Sequence, residues 1–378
     1  MPAKTGRKAD RPDRVEMGGR MAQIGTGNTG GALKVSGSSE RTSQVTMRDV
    51  ARAAGVSRMT VSRALKPNSP VSEKTRKHIL NLARKMNYVP DQMAGGLSTK
   101  RSGFIAVLVP SLNNLHFAET VQALTREVEA TDRQIILGYT DYSAEREEQL
   151  IETMLRRRPE AIVLSYDGHT DRTVALLTEA RVPVIELWER PDDPIEHTVG
   201  FSNLEAAAEM TRALIARGYR NIAFLGEADD AWTRGAARRA GWRMAMEAAG
   251  LSTHRLLKIG KPPISIEDGA AAAPLLVDRF PDTDCIFCVS DAPAFGAISA
   301  FGALNRRVPG DIGVVGFGNF EVSRFATPSI TTVSIDPMHI GHAAGKMIAN
   351  VLDGPAETAR APQHVPVKVA LSFRNSTR

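Results

Sequence analysis

Residues 45–97 constrain this chain most, because short helix signals with clear caps lie there beside a high density of positive charge. Thr46 precedes an apolar-periodic run and Asp49 follows three residues later, which predicts a capped helix start. A glycine ends that run, and Ser57 then caps a second short helix from Arg58 to Leu65. Two short helices joined by a glycine-containing turn are typical of a helix-turn-helix, whose second helix enters the major groove of DNA.

The charge of this segment supports a nucleic-acid partner. Between Val45 and Arg101 there are 12 Lys/Arg and 3 Asp/Glu, a net charge of +9, and a third basic helix is predicted from Glu73 to Asn87. Residues 1–44 add a net +4, whereas the remainder carries a net −7. A basic module attached to an acidic body is typical of a protein in which the basic module alone binds the phosphates of a nucleic acid.

Three stretches, VTMRDVARAAGVSRMTVSRAL, VSEKTRKHIL and NYVPDQMAGGLS, resemble the DNA-binding head of the lactose-repressor (LacI-type) family of bacterial regulators. The resemblance implies that five hydroxyl side chains contact DNA: Thr46, Ser57, Thr60, Ser62 and Thr75. It implies that three residues of the second helix read bases: Arg58, Met59 and Arg63. Met59 is open to two interpretations, contact with a thymine methyl or packing inside the head.

The same resemblance implies a hinge after the third helix. Tyr88 leads into this hinge, Ala94 is its small residue that allows close approach, and Leu97 occupies the position of a leucine wedged into the minor groove. An apolar wedge of that kind partly unstacks a base step and kinks the duplex.

The chain of 378 residues, 42% of them apolar, is long enough for two or three domains. We predict a disordered basic tail over 1–44, a helix-turn-helix head over 45–87, a hinge over 88–101, a two-lobed effector-binding and dimerisation domain over 102–372, and a C-terminal tail over 373–378.

Several classes of protein are disfavoured. Only two cysteines occur, and neither a long apolar run nor an apolar signal core is present, so we expect a cytoplasmic protein without a membrane segment. No cofactor is expected. The Gly25-x-Gly27-x-x-Gly30 pattern lacks the flanking strand and helix of a dinucleotide site, and Cys285-x-x-Cys288 lacks a second pair for zinc.

The body shows an alternation of apolar strands and helices. Seven short runs predict strands: FIAVLVP, RQIILGY, AIVLSY, PVIELW, NIAFLG, CIFCVSD and IGVVGF. Buried strands that alternate with helices indicate an α/β fold with parallel sheets, and this number favours two sheets. The family resemblance implies two similar lobes, like those of periplasmic sugar-binding proteins.

Ligands of such sheets bind in the crevice at the carboxyl ends of the strands. The candidate effector-binding residues at or near these ends are Asn114, Phe117, His169, Glu186, Arg238, Asp291 and Asn319. By resemblance, Arg238 matches the arginine that grips the effector and Asp291 matches an aspartate that bonds sugar hydroxyls. A lone histidine at a strand end is more often structural, and we interpret Trp188 and Trp242 as packing residues.

Within the family, LVPSLNNLHFAET and HTVGFSNLEAAAEM resemble the gluconate-utilisation repressors. We therefore expect a homodimer that binds a pseudopalindromic operator and is released by a sugar acid such as gluconate or gluconate 6-phosphate. A neutral sugar or a purine effector, corepression and activation stay open as alternatives. A sugar-binding protein without a DNA role is disfavoured by the basic head, and an enzyme by the lack of a nucleophile elbow, metal cluster or phosphate loop.

Overall fold

The computed structural model describes residues 45–66, 69–90, 102–165, 168–228, 233–355 and 361–378. The chain divides into two compact units, with the boundary after Pro90. The predicted tail (1–44) and most of the predicted hinge, including Ala94 and Leu97, lie outside the described residues.

The first unit contains the three predicted helices, α1 (Met47–Ala54), α2 (Arg58–Ala64) and α3 (Glu73–Lys85). They enclose a small core in which Val50, Val61 and Ile79 are fully buried. Apolar positions on one face of each helix supply this core, which leaves the charged faces in solvent.

The second unit holds two parallel sheets, each with helices on both faces. Lobe 1 contains the sheet β11-β5-β4-β3-β1-β2, in which every pairing is parallel. Its strands are β1 (Phe104–Val109), β2 (Gln134–Tyr139), β3 (Ala161–Ser165), β4 (Val184–Leu187), β5 (His197–Gly200) and β11 (His364–Pro366). Its helices are α4 (Leu115–Glu129), α5 (Ala144–Leu155), α6 (Asp171–Ala180) and α12 (Pro337–Asp353).

Lobe 2 repeats this plan with the sheet β12-β10-β9-β8-β6-β7, in which β12 alone pairs antiparallel. Its strands are β6 (Ile222–Gly226), β7 (Leu256–Lys258), β8 (Cys285–Cys288), β9 (Gly313–Gly318), β10 (Thr331–Ser334) and β12 (Ala370–Ser372). Its helices are α7 (Asn203–Ala216), α8 (Arg234–Ala248), α9 (Ile266–Arg279), α10 (Asp291–Ala303) and α11 (Glu321–Phe325).

The chain crosses between the lobes three times, after β5, after β10 and after β11. All seven predicted strands are confirmed, and the expectation of two parallel sheets is confirmed with them. In the described part of the chain, no helix is long and apolar enough to cross a membrane.

The last six residues correct one prediction. We expected a tail over 373–378, but Ser376 is fully buried, accepts a hydrogen bond from Thr331 N at 2.8 Å and donates one to Val314 O at 2.5 Å. The Arg374 guanidinium donates to Ile330 O at 2.8 Å. These residues are therefore part of lobe 2, where they satisfy backbone groups at the start of β9 and β10.

Candidate functional sites

The first candidate site is the exposed face of α2, which the caps of the head place. Ser57 caps this helix by accepting a hydrogen bond from Thr60 N at 3.2 Å. Gly55, with φ at +66°, makes the turn from α1. Val61 and Ala64 point into the core, so the opposite side of the helix is left free for a partner.

That free side carries the residues expected to read bases. Arg58 and Arg63 are exposed, and the Met59 side chain is 63% exposed. Met59 therefore does not pack in the core of the head, which leaves contact with a partner as the better of its two interpretations. Arginine and an apolar side chain on one helix face suit guanine and thymine edges in a major groove.

The remaining head residues lie near the helix starts or in the core. Thr46 N and Thr46 Oγ1 both donate to Asp49, at 3.0 and 2.6 Å, and these bonds lower the pKa of Asp49. The hydroxyls of Ser57 and Thr60 bond each other at 2.9 Å, and that of Thr75 bonds Ser72 at 2.8 Å. Ser62 is half-buried on α2, and Tyr88 packs partly on the head core.

The second candidate site is a cleft between the two lobes, at the carboxyl ends of their strands. Its walls include Asn114 and Phe117 after β1, Trp188 after β4, and Ser290 and Phe320 after β8 and β9. The cleft holds about 660 Å³ of empty space, including the part open to solvent. This is the crevice in which open α/β sheets bind ligands.

Arg238 lines this cleft and is held in place by three contacts. From α8, its Nε donates to Asn203 Oδ1 at 2.8 Å and its Nη1 donates to Val289 O at 2.8 Å. Its guanidinium lies 3.8 Å from the centre of the Phe317 ring. A preorganised guanidinium of this kind can recognise a carboxylate or hydroxyls without losing side-chain entropy on binding.

A second arginine and one carboxylate line the same wall. Arg234 lies one turn before Arg238 on α8, and its guanidinium is 5.0 Å from the centre of the Phe117 ring. The Glu227 carboxylate lies over Gly235, where a Cβ would come within 2.0 Å of Glu227 Oε2. Arg234 was not predicted from the sequence, although its four-residue spacing from Arg238 places both on one helix face.

Aromatic rings close the cleft from both lobes. His116 of lobe 1 stacks on Phe320 of lobe 2, with ring centres 3.8 Å apart and planes 8° apart. Trp188 lies nearly parallel to His116, with ring centres 5.7 Å apart. Burial, with the nearby charge of Arg238, lowers the pKa of His116 to about 4, so this imidazole is neutral at pH 7.

Trp188 corrects our interpretation of it as a packing residue, because it lines the cleft. Its side chain is 3% exposed, and its indole N–H has no hydrogen-bond partner among the described residues. Its φ of +71° is an outlier for a bulky residue. Trp242, in contrast, is fully buried against Phe224, as expected of packing.

Comparisons with known proteins decide the family. Residues 46–91 match the model of bacterial regulatory proteins, lacI family, and residues 211–377 match the periplasmic binding protein-like domain. The HTH-type transcriptional regulator GntR of Escherichia coli (strain K12) is 31% identical over 314 residues, which is 83% of this chain and 94% of that protein. This chain belongs to the LacI family of bacterial transcriptional regulators.

Solved structures agree with the assignment of this chain to the LacI family. A LacI family transcriptional regulator from Silicibacter pomeroyi is 58% identical, with a TM-score of 0.70, over 73% of this chain and 99% of that one. Another from the same organism is 30% identical, with a TM-score of 0.81, over 88% of this chain and 100% of that one. The expectation of a DNA-binding regulator and not an enzyme is confirmed, since the relatives are transcriptional regulators.

Two of the candidate effector residues lie behind the cleft wall of the regulator and not in it. Asp291 is fully buried and accepts hydrogen bonds from Phe320 N at 2.7 Å and Thr332 Oγ1 at 2.6 Å. Burial raises the pKa of Asp291 to about 6. Asn319 donates to Ser334 Oγ at 2.9 Å and accepts from Arg374. Both residues thus position the loop that carries Phe320.

His169 and Glu186 also lie outside the cleft lining, in a buried cluster of lobe 1. His169 Nδ1 is 2.5 Å from Glu147 Oε1, and His169 Nε2 is 3.3 Å from Glu186 Oε1. Burial lowers the pKa of His169, but hydrogen bonds to both carboxylates outweigh it and raise the pKa to about 9. This charged cluster joins three elements of lobe 1, which are α5, the loop after β3, and strand β4.

The described residues contain no group of three or more His, Cys, Asp or Glu that could hold a metal ion. Cys285 and Cys288 are buried as free thiols in β8, and burial raises the pKa of both.

Proposed function

We propose that this LacI-family regulator is a repressor of sugar-acid catabolic genes, and that an anionic polyol of the gluconate type binds its cleft and releases it from DNA. The observation that carries the proposal is the charge of the cleft. Among the described residues that line the cleft, Arg234 and Arg238 accompany one carboxylate, that of Glu227, and the nearby His116 is neutral. Guanidinium groups that line a cleft favour an anion over a neutral sugar of the same shape.

The walls of the cleft carry groups that can bind both the carboxylate and the hydroxyls of such a ligand. The Arg238 guanidinium supplies positive charge for a carboxylate, and the Trp188 indole N–H supplies a donor for a hydroxyl. The His116–Phe320 stack joins the two lobes, so a ligand that enters between them changes the contacts between lobes. Such a ligand shifts the protein between two states only by binding one of them better.

We further propose that the regulator acts as a homodimer on a pseudopalindromic operator, because two-fold symmetry of the protein is mirrored in the DNA site. Arg58, Met59 and Arg63 of each head would then contact equivalent base edges in the two half-sites. Arg63→Ala should lose roughly 1–3 kcal/mol of discrimination at one base pair of each half-site. Unchanged sequence preference in a competition assay would remove Arg63 from the base-reading face.

Calorimetric titration tests the effector directly. The full-length protein is titrated with gluconate, gluconate 6-phosphate and glucose, since glucose keeps the hydroxyls without the carboxylate. We expect binding of at least one acid and much weaker binding of glucose. Equal affinity for gluconate and glucose would contradict an anion site.

A purine is the second candidate effector, and one observation favours it. The nearly parallel rings of His116, Trp188 and Phe320 offer planar faces on which a heterocycle can stack. Titration with hypoxanthine and guanine in the same assay distinguishes this candidate. Neither purine has a carboxylate, so binding of either one would show that the cleft does not require an acid.

A further inference from the structure

A second cavity opens at the opposite edge of the lobe 1 sheet, where its parallel strands begin. It holds about 1020 Å³ of empty space, including the part open to solvent. Arg158 and Arg181 line it, together with Arg133 and Glu160. We infer that this arginine edge, defined by Arg158 and Arg181, is a second DNA contact that binds the phosphate backbone beside the operator.

The charges of these two arginines are available to a partner, whereas the charge of Arg133 is not. Arg133 Nε donates to Glu160 at 2.9 Å, and its two Nη atoms donate to Asp353 at 2.6 and 2.9 Å. Arg133 is therefore engaged by the carboxylates of Glu160 and Asp353. It offsets one of these two negative charges, so with Arg158 and Arg181 the five groups carry a net +1. Arg158 and Arg181 are exposed, and neither side chain has an ion-pair partner in the described ranges.

Both arginines have a left-handed backbone conformation that is unusual for a residue with a long side chain. Arg158 has φ at +54° and Arg181 has φ at +51°, a region where glycine or asparagine ends a helix at the lowest cost. Among the described residues, seven other non-glycine residues have positive φ. Five of them are Asn or Asp, and the remaining two, Tyr142 and Trp188, line the cleft. A strained backbone that keeps a charged side chain is a pattern typical of functional positions.

The course of the chain indicates DNA as the partner. Gly103 N donates to Glu160 Oε1 at 2.7 Å, and Gly103 O accepts from Gln134 N at 2.9 Å, so the segment that follows the hinge joins the body beside this cavity. Residues 91–101 connect that point to the head, and a chain of this length spans at most about 40 Å. A duplex held by the head is thereby tethered to the body, which raises its effective concentration at surfaces of the body such as the arginine edge. The inference rests on operator binding by the head.

The test is the salt dependence of DNA binding by the full-length protein and by the double variant Arg158→Gly/Arg181→Gly. Glycine suits both backbone positions, so this variant removes the two charges without new strain. The probes are an operator duplex of about 20 bp, obtained by selection from random duplexes, and the same operator within about 60 bp. Affinities are measured by fluorescence anisotropy over a NaCl series.

On the longer duplex, we expect the slope of log Kobs against log[NaCl] to be less steep in the variant, by roughly 0.9 for each phosphate that the protein no longer neutralises. On the shorter duplex the two proteins should have equal slopes. The double variant Arg158→Lys/Arg181→Lys keeps both charges and should keep the wild-type slope. Asn305→Gly, at another positive-φ position, serves as the uncharged control.

Equal slopes of wild type and glycine variant on the longer duplex would overturn the inference. If the arginines only stabilise the ends of α5 and α6, the glycine variant would melt at a lower temperature while its slopes stay unchanged, which also overturns it. Failure of the wild type to bind any selected short duplex would instead refute operator binding by the head, and the inference with it.

Discussion

At the scale of single residues, the cleft is built around cations that the protein has fixed in advance. Arg238 is held by Asn203, Val289 O and the Phe317 ring before any ligand arrives. Hydrogen bonds to charged groups contribute roughly 1.5–3 kcal/mol each, so this one side chain can set much of the affinity for an anion.

Arg238→Gln should leave operator binding intact and weaken effector binding about 10- to 100-fold, because it removes a charge-assisted contact. Calorimetric titration with the effector measures this change, and anisotropy on the operator duplex checks the head. Arg243→Gln is the matched control, since Arg243 is an exposed residue of the same helix. Equal effector affinity of Arg238→Gln and wild type would remove Arg238 from the site.

His169 gives the protein a predictable dependence of stability on pH. Its pKa in the folded protein is about 9, above the unfolded value of about 6.5. Protonated His169 therefore stabilises the fold fully below about pH 6.5, and this contribution disappears as the pH rises through about 9.

We expect the difference in unfolding free energy between wild type and His169→Gln to fall by about 3 kcal/mol, in order of magnitude, between pH 6.5 and 9.5. Urea denaturation at several pH values measures it. Asp291, with its pKa raised to about 6, is present in both proteins, so its titration cancels in this difference. A difference that is independent of pH would contradict the charged cluster with Glu147 and Glu186.

At the scale of elements, helix packing positions the two cleft arginines. Helix α8 lies against α7 at Gly241, where an added Cβ would be 2.0 Å from Leu204 O. Only glycine allows this approach, and the same helix carries Arg234 and Arg238. The geometry of the cleft therefore depends on the position of α8.

Gly241→Ala should destabilise the protein by roughly 1–3 kcal/mol, because the helices must move apart. It should also weaken effector binding, since α8 moves with both arginines. Gly302→Ala is the control: its Cβ would meet no atom within 4 Å, and alanine favours a helix by up to about 1 kcal/mol. Thermal melts and effector titrations of the two variants provide the comparison.

The elements were largely predictable because their signals are local. Helices α1, α2 and α3 begin where a capping residue precedes regularly spaced apolar residues, and the three caps are Thr46, Ser57 and Ser72. The strands β5 and β11 carry polar residues and are only four and three residues long, so their apolar signal is weak. Their pairing joins segments far apart in sequence, which no local pattern encodes.

The side chains of the cleft were less predictable than the edge on which they lie. A strand end places a residue at the crevice, but successive side chains point to opposite faces. Glu186 in β4 bonds His169 inside lobe 1, whereas Trp188, two residues later and with a positive φ, lines the cleft. Asp291 and Asn319 are one layer deeper than expected, because backbone and side-chain donors of lobe 2 already occupy their oxygen atoms.

At the scale of the whole molecule, the separation of charge matches the separation of tasks. The segment from Val45 to Arg101 carries a net +9 and residues 102–378 carry a net −7, so attraction to DNA is concentrated in the head and hinge. The cleft lies in the second unit, and the segment 91–101 is the covalent connection through which a change between lobes can reach the head.

The measurement that tests control by an effector most directly is fluorescence anisotropy of a labelled operator duplex at fixed salt, with the protein titrated in the presence of gluconate, gluconate 6-phosphate or glucose. We predict tight binding that one of the two acids weakens at least about tenfold, or by roughly 1.4 kcal/mol, and that glucose leaves unchanged. Tight binding that no acid alters would contradict control by an anionic effector, and no preference for the operator over random duplex would contradict sequence-specific regulation itself.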